Sequence, residues 1–163
     1  MKAPICGVCL KSDILCMACK KKLDEGKITE SDVRISRLVS RIGSGPINEV
    51  TIKRVIEGEN TIVIICAKGD AARLVEKEGI MIKKLSKNAG KMIRVIEETG
   101  NIKEFIQNLI YPVPLSGLNI MYRPEGEMLK VLIPSGRNIP LNESSFSEII
   151  KMVFGEHVVV SRQ

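Results

Sequence analysis

The stretch of residues 69–96, GDAARLVEKEGIMIKKLSKNAGKMIRVI, decides how the middle of the chain folds. Its first residues predict a short apolar helix that Asp70 caps, and EKEG ends that helix. A second helix follows, with Ile80, Ile82 and Leu85 on its apolar side. NAG ends the second helix, and KMIRVIEE is then typical of a strand. The stretch therefore predicts helix, turn, helix and strand.

This region also concentrates positive charge. The chain carries a formal net charge of +6, and residues 68–94 hold eight Lys or Arg against three Asp or Glu. Such a concentrated basic segment favours a polyanionic partner more than a diffuse surplus does. The alternative is an ordinary solvated surface.

The residues before this region predict a helix and two strands. Thr29, with Asp32 three positions later, forms a variant capping box that begins a helix near residues 30–42. The runs EVTIKRVIE and NTIVIICAK predict strands, and EGEN predicts the hairpin turn between them. The order over residues 30–98 is then α-β-β-α-α-β. The predicted helix carries three arginines on a face away from its apolar positions: Arg34, Arg37 and Arg41.

This order and the run GDAARLVEKEGIMIKKLSKNAGKMIRVIEE resemble a type II KH domain of the NusA family and its archaeal relatives. In that family the run reads Gly-Asp-Ala, an apolar helix, Gly-x-x-Gly, an apolar and basic helix, Gly-Lys and a strand. The Gly-x-x-Gly loop falls on residues 76–79, where Glu76 replaces the first glycine. The resemblance implies an α+β fold of αββααβ order, and it implies a role in transcription elongation or termination.

A KH loop grips phosphate because its glycines allow close approach and the next helix presents its N-terminal N–H groups. The resemblance therefore implies contact with single-stranded RNA, although Glu76 and Glu78 bring opposing charge to the loop. The candidate RNA-binding residues are Lys77, Gly79, Lys83, Lys84, Lys87, Lys91 and Arg94.

The last third of the chain predicts the order αββαβ and resembles a second, degenerate KH-like unit. Sliding the chain along itself places Gly90 on Gly155 and the strand after one on the strand after the other. Chance agreement between two such patterns is the alternative. The predicted domains are a cysteine segment over 1–27, a KH type II-like domain over 28–98 and the second unit over 99–163.

Four of the five cysteines lie close together near the N-terminus. The spacing is Cys6-x2-Cys9-x6-Cys16-x2-Cys19, so two C-x2-C pairs supply four thiolates for one tetrahedral ion. A small segment with little hydrophobic core needs a cross-link of this kind to fold stably, which favours structural Zn²⁺. A rubredoxin-like iron site and a redox dithiol are the alternatives.

Composition limits the remaining function classes. Aromatic residues make up 3% of the chain and Trp is absent, which argues against binding RNA by base stacking. No export signal and no membrane-spanning apolar run is visible, and thiols kept for metal favour the cytoplasm. One histidine, no paired carboxylates and no P-loop argue against an enzyme with a small-molecule substrate. We expect a non-enzymatic RNA-binding protein, or alternatively a docking module for RNA polymerase or for a ribonucleoprotein.

Overall fold

A computed structural model describes residues 1–76 and 79–163 of the chain. The described part is a mixed α+β protein with two three-stranded sheets and a cysteine-rich N-terminal segment. It divides into two compact units. Unit 1 contains residues 1–57 and 62–98, and unit 2 contains residues 58–61 and 99–163.

The chain up to residue 98 contains five α-helices among the described residues, three strands and one 3-10 helix (Gly45–Glu49). In order along the chain they are α1 (Gly7–Lys11), α2 (Met17–Asp24), α3 (Glu30–Ile42), β1 (Ile52–Glu57), β2 (Thr61–Cys66), α4 (Ala71–Val75), α5 (Ile80–Ala89) and β3 (Met92–Glu97).

Helix α3 begins and ends where the sequence predicts. The Thr29 hydroxyl accepts a hydrogen bond from the Asp32 N–H group, and the Asp32 carboxylate accepts one from the Thr29 N–H group. These two bonds satisfy donors that the first helical turn leaves open. The second Asp32 oxygen accepts the Val55 N–H group at 2.7 Å. The same carboxylate therefore caps α3 and attaches it to β1.

The first sheet has the order β1-β2-β3, and β1 runs antiparallel to β2. All six residues of the central strand β2 are buried, as the unbroken apolar run TIVIIC requires. Helices α3, α4 and α5 contribute Ile35, Val39, Leu74 and Leu85 to the same core. Cys66 belongs to this core, where burial raises the pKa of its thiol to about 12.

Two local predictions in this region are wrong. The Asp70 side chain makes no capping bond to α4; one oxygen accepts the Thr51 N–H group at 2.9 Å and the other accepts from Arg73 at 3.0 Å. Ile80 is 47% exposed, whereas its neighbour Met81 is 3% exposed and lies in the core. The packing of α5 on the sheet rotates the helix so that Met81 rather than Ile80 faces inward.

The chain after residue 98 forms a second three-stranded sheet and two helices. In order they are α6 (Ile102–Ile110), β4 (Gly117–Arg123), β5 (Gly126–Ile133), α7 (Glu143–Phe154) and β6 (Val158–Arg162). Strand β5 is central, antiparallel to β4 and parallel to β6.

The two units share a detail at the helix that precedes their last strand. Gly90 ends α5 with a φ of 72°, and Gly155 ends α7 with a φ of 73°. Each glycine donates its N–H group to a carbonyl four residues back, which closes the helix in a conformation that favours glycine. These are the two glycines that the internal alignment of the sequence pairs.

No helix in the described ranges is long and apolar enough to cross a lipid bilayer.

Candidate metal centre and basic surface

The four clustered cysteines converge on one point. Their sulfur atoms all lie within 4.8 Å of one another, and the sulfurs of Cys6 and Cys16 are 3.9 Å apart. Tetrahedral thiolate ligands at ~2.3 Å from a metal ion lie roughly 3.8 Å from one another. The cluster therefore has the donors and the spacing to hold a metal ion.

Two short helices place these cysteines. Cys6 is the N-cap of α1 and Cys16 is the N-cap of α2, so the second cysteine of each pair lies in the first turn of a helix. The N–H group of Cys16 donates to the Cys9 sulfur at 3.1 Å, and the N–H group of Cys19 donates to the Cys16 sulfur at 3.4 Å. Donors of this kind stabilise sulfur in its thiolate form.

The thiols differ in acidity because their surroundings differ. The backbone N–H group of Cys9 is the main reason that the pKa of Cys6 falls to about 7, and that of Cys19 lowers the pKa of Cys16. The N–H group of Cys16 acts in the same direction on Cys9, but burial and neighbouring thiols outweigh it and raise the pKa of Cys9 to about 12. A metal ion must displace these protons, so uptake is expected to weaken in acid.

The cysteine segment is attached to α3 by polar and apolar contacts. Arg37 donates from Nε to the Cys9 carbonyl at 3.0 Å, and Arg41 pairs with Asp13 at 2.7 Å. Cys9 and Cys19 share a buried cluster with apolar residues of the segment and with Val33 of α3. The four-cysteine cluster and α3 thus form one packed body within unit 1.

The α5 lysine face consists of Lys83, Lys84 and Lys87, which are all exposed. At about 100° per residue the three side chains lie within a ~100° arc of the helix surface. Met81 and Leu85 are buried on the other side of the helix. Within residues 1–76 and 79–163 none of the three lysines makes an ion pair, so their charge is directed to solvent.

The loop before α5 keeps the backbone geometry that glycine prefers. Gly79 precedes the helix with a φ of 65°, and no atom of the described residues, its chain neighbours aside, lies within 4 Å of the place where its Cβ would be. Glu76, at the first glycine position of the resembled motif, has a φ of 56° and a ψ of −175°. That region is essentially reserved for glycine. The exposed Glu76 therefore occupies a glycine-type backbone position with a negative side chain.

The other predicted RNA-binding residues have different environments. Lys91 is paired with Glu57 at 2.9 Å, and the two side chains are only 31% and 20% exposed. Arg94 lies half-buried in β3, where burial lowers the pKa of its guanidinium group. Lys77 lies outside the described residues.

Glu57 connects α3 to Lys91, a role that the sequence does not reveal. Its carboxylate accepts hydrogen bonds from Ser31 and Arg34 of α3 and from Lys91. Burial acts to raise the pKa of Glu57, but these three donors outweigh it and lower the pKa to about 2. No local pattern marks the position, because its partners lie 23 to 34 residues away along the chain.

Comparison with known proteins finds solved structures of similar fold, but it assigns the chain to no family. No protein-family model matches the chain, and no curated protein matches its sequence. Seventy solved protein chains match its structure. One of them, titled "Crystal structure of APE1850", has a TM-score of 0.58 and 22% sequence identity, and it covers 83% of this chain and 100% of that one. An identity this low indicates a shared fold and carries no function with it.

Proposed function

We propose that this protein is a non-enzymatic RNA-binding protein that contacts single-stranded RNA through the α5 lysine face. The carrying observation is the position of this face. Its three exposed lysines, which pair with no acid among residues 1–76 and 79–163, lie on the helix that Gly79 begins. No side chain of Gly79 obstructs close approach to the N-terminus of that helix. Phosphates attract such a surface mainly by releasing their counterions.

The proposal includes a fold assignment that the element order supports. Helix α3, strands β1 and β2, helices α4 and α5, and strand β3 follow the αββααβ order of a type II KH domain. The order α6, β4, β5, α7 and β6 suits a second, degenerate KH-like unit. By resemblance to the NusA family, the proposed context is transcription elongation or termination in the cytoplasm.

Titration of RNA in different salt concentrations tests the proposal. Affinity for a short fluorescent single-stranded RNA is measured by anisotropy between about 50 and 200 mM salt. Exchange of Lys83, Lys84 and Lys87 for Gln is expected to reduce the slope of log K against log salt by about 2, since each phosphate contact on a single strand contributes ~0.7. Lys83→Glu with Lys84→Glu is expected to weaken binding at least about tenfold at the lower salt concentration.

A charge-matched control separates a specific face from overall net charge. Lys103 of α6 and Lys151 of α7 are exposed lysines far from α5 in sequence. Their double exchange for Glu changes the net charge by the same amount and is expected to leave affinity within about twofold. Equal losses in both double variants, or binding that ignores salt, would refute the proposal.

We further propose that the four-cysteine cluster holds one structural Zn²⁺. Four thiolates leave no open coordination position, which suits a structural and not a catalytic ion. Mass spectrometry of the purified chain is expected to find one zinc per chain. A coloured protein that contains iron would instead favour the rubredoxin-like alternative.

A second candidate function is protein docking, and one observation favours it. Val8, Ile14 and Met17 of the cysteine segment are 74%, 79% and 91% exposed. Apolar side chains as open as these suit a surface that a partner such as RNA polymerase covers. Co-purification of a large complex that survives nuclease treatment, and is lost when Met17 is exchanged for Glu, would favour docking over RNA binding.

A further inference from the structure

A cleft lies between the cysteine segment and α3, and the proposed function does not use it. Its volume is about 610 Å³, within the size range of small-molecule sites. Leu15 and Leu23 of the cysteine segment and Val33 of α3 provide apolar lining. All lining residues belong to unit 1 and lie between residues 13 and 57.

Three arginines of α3 form one side of this cleft. Arg34, Arg37 and Arg41 occupy positions i, i+3 and i+7, so they project from one helix face. The planar fork of arginine matches the oxygens of a phosphate group better than the single ammonium group of lysine does.

These arginines keep donors for a ligand. Arg34 and Arg41 are 55% and 61% exposed, and the hydrogen bonds to Glu57 and Asp13 each use one Nη2 atom. Within the described ranges Arg37 pairs with no carboxylate; its Nε atom donates to a carbonyl, and its Nη2 atom is buried without a partner. Arg37 therefore contributes a guanidinium group that is held by a backbone carbonyl and not by an ion pair with a described acid.

The acidic residues of the cleft decide what kind of ligand fits. Asp13, Glu30 and Glu57 line the cleft as well, so their charges balance the three arginines. A bare anion gains little electrostatic binding free energy in a site whose charges balance. A ligand binds more strongly if it also covers the apolar lining and donates hydrogen bonds to a carboxylate. A nucleotide can do all of this, because it has a phosphate, a flat base and ring or amino N–H groups.

We propose that this cleft binds one nucleotide of a single-stranded RNA, with the phosphate against Arg37 and Arg41 and the base over Leu15, Leu23 and Val33. The inference rests on the proposed RNA-binding function and extends it to a second surface. A groove of about 160 Å³ between α3 and α5 leads from the cleft towards the α5 lysine face, since Arg34 and Arg41 line it together with Asn88. The Asn88 side chain donates to the carbonyl of Lys84, so the groove reaches the helix that carries the α5 lysine face.

Nuclear magnetic resonance of the metal-loaded full chain tests the cleft directly. The probes are adenosine 5′-monophosphate, adenosine and inorganic phosphate, each titrated separately. The monophosphate is expected to shift the Nε resonances of Arg37 and Arg41 and the methyl resonances of Leu15, Leu23 and Val33. It is expected to do so at about one tenth of the concentration that either fragment needs, because two contacts act together. Absence of shifts at the cleft, or equal shifts with phosphate alone, would overturn the inference.

Variants distinguish failure of the cleft from failure of the proposed function. Arg41→Glu is expected to weaken the affinity for single-stranded RNA about tenfold, because the variant loses about one charge-assisted contact and adds repulsion. Arg123→Glu, at an exposed position of β4, is the matched control and is expected to leave affinity unchanged. Normal RNA binding in the Arg41 variant, with loss in the Lys83 and Lys84 variant, would refute the cleft and keep the proposed function. If the unaltered chain fails to bind RNA, both the proposed function and this inference fall.

Discussion

The exchange of Glu76 for glycine is expected to stabilise the protein, which is unusual for a substitution to glycine. With a φ of 56° and a ψ of −175°, Glu76 holds a conformation that costs a residue with a Cβ atom about 1–3 kcal/mol. Glycine removes that strain but loses about 0.5–1 kcal/mol through the greater entropy of the unfolded chain. The difference predicts a gain of about 1 kcal/mol in the free energy of unfolding, or roughly 4–8 °C in melting temperature for a unit of this size.

The control variant is Glu76→Gln, which removes the charge and keeps the Cβ atom. Its free energy of unfolding is expected to stay within about 0.5 kcal/mol of the starting protein, since the position is exposed. Urea denaturation of the three proteins followed by circular dichroism gives the comparison. A Glu76→Gly variant that is less stable than the Gln variant would refute the strain argument.

The same two variants have a second readout in RNA binding. A carboxylate ~6 Å from a phosphate costs about 0.7 kcal/mol in water, which is about threefold in affinity. Both variants are therefore expected to bind single-stranded RNA about threefold more tightly at low salt, whatever their stability. Unchanged affinity in both would indicate that the loop does not approach the phosphates.

Three further predictions concern metal, a buried carboxylate and pH. Chelation of the metal, or exchange of Cys9 for Ser, is expected to lower the melting temperature of unit 1, because metal binding contributes folding free energy; calorimetry with and without added zinc measures this, and an unchanged transition would contradict it. Exchange of Asp70 for Ala leaves the Thr51 N–H group without its acceptor and is expected to cost about 1–3 kcal/mol in urea denaturation, whereas no loss would show that water replaces the bond. The carboxylate of Glu57 has a pKa of about 2 in the folded chain against an ordinary value of 4.5, so the unfolded chain binds more protons between these values. Its contribution to stability is present above pH 4.5 and is lost as the pH falls towards 2, so Glu57→Gln is expected to flatten the pH dependence of unfolding in that window; an identical acid limb in both proteins would contradict the assignment.

Interactions between residues close in sequence could be predicted well. The capping box of Thr29 and Asp32, the start and end of α3, and the hairpin turn over residues 57–60 all depend on contacts within a few residues. The convergence of the four cysteines is also confirmed, because two C-x2-C pairs leave little freedom for their sulfurs. Gly90 and Gly155 end their helices for the same local reason, a positive φ.

Interactions between distant residues could not be predicted, even where the residues themselves attract notice. Asp70 has the residue type and the position of a helix cap, yet its carboxylate instead accepts a hydrogen bond from the Thr51 N–H group, 19 residues away. Lys91 belongs to the basic segment of the sequence, yet Glu57 pairs with it from 34 residues away. Ile80 and Met81 are equally apolar neighbours, and only the docking of α5 on the sheet determines which of them is buried.

The sequence by itself thus determined the cysteine cluster, the order of α-helices and strands after residue 29 and the concentration of lysine in α5, since each depends on short-range geometry and side-chain period. Tertiary structure decided which cations stay available to a ligand. The three lysines of α5 remain exposed because they lie opposite its buried side. Packing of the cysteine segment against α3 likewise sets Arg34, Arg37 and Arg41 along one cleft, because only folding brings residues near position 15 against a helix that begins at residue 30.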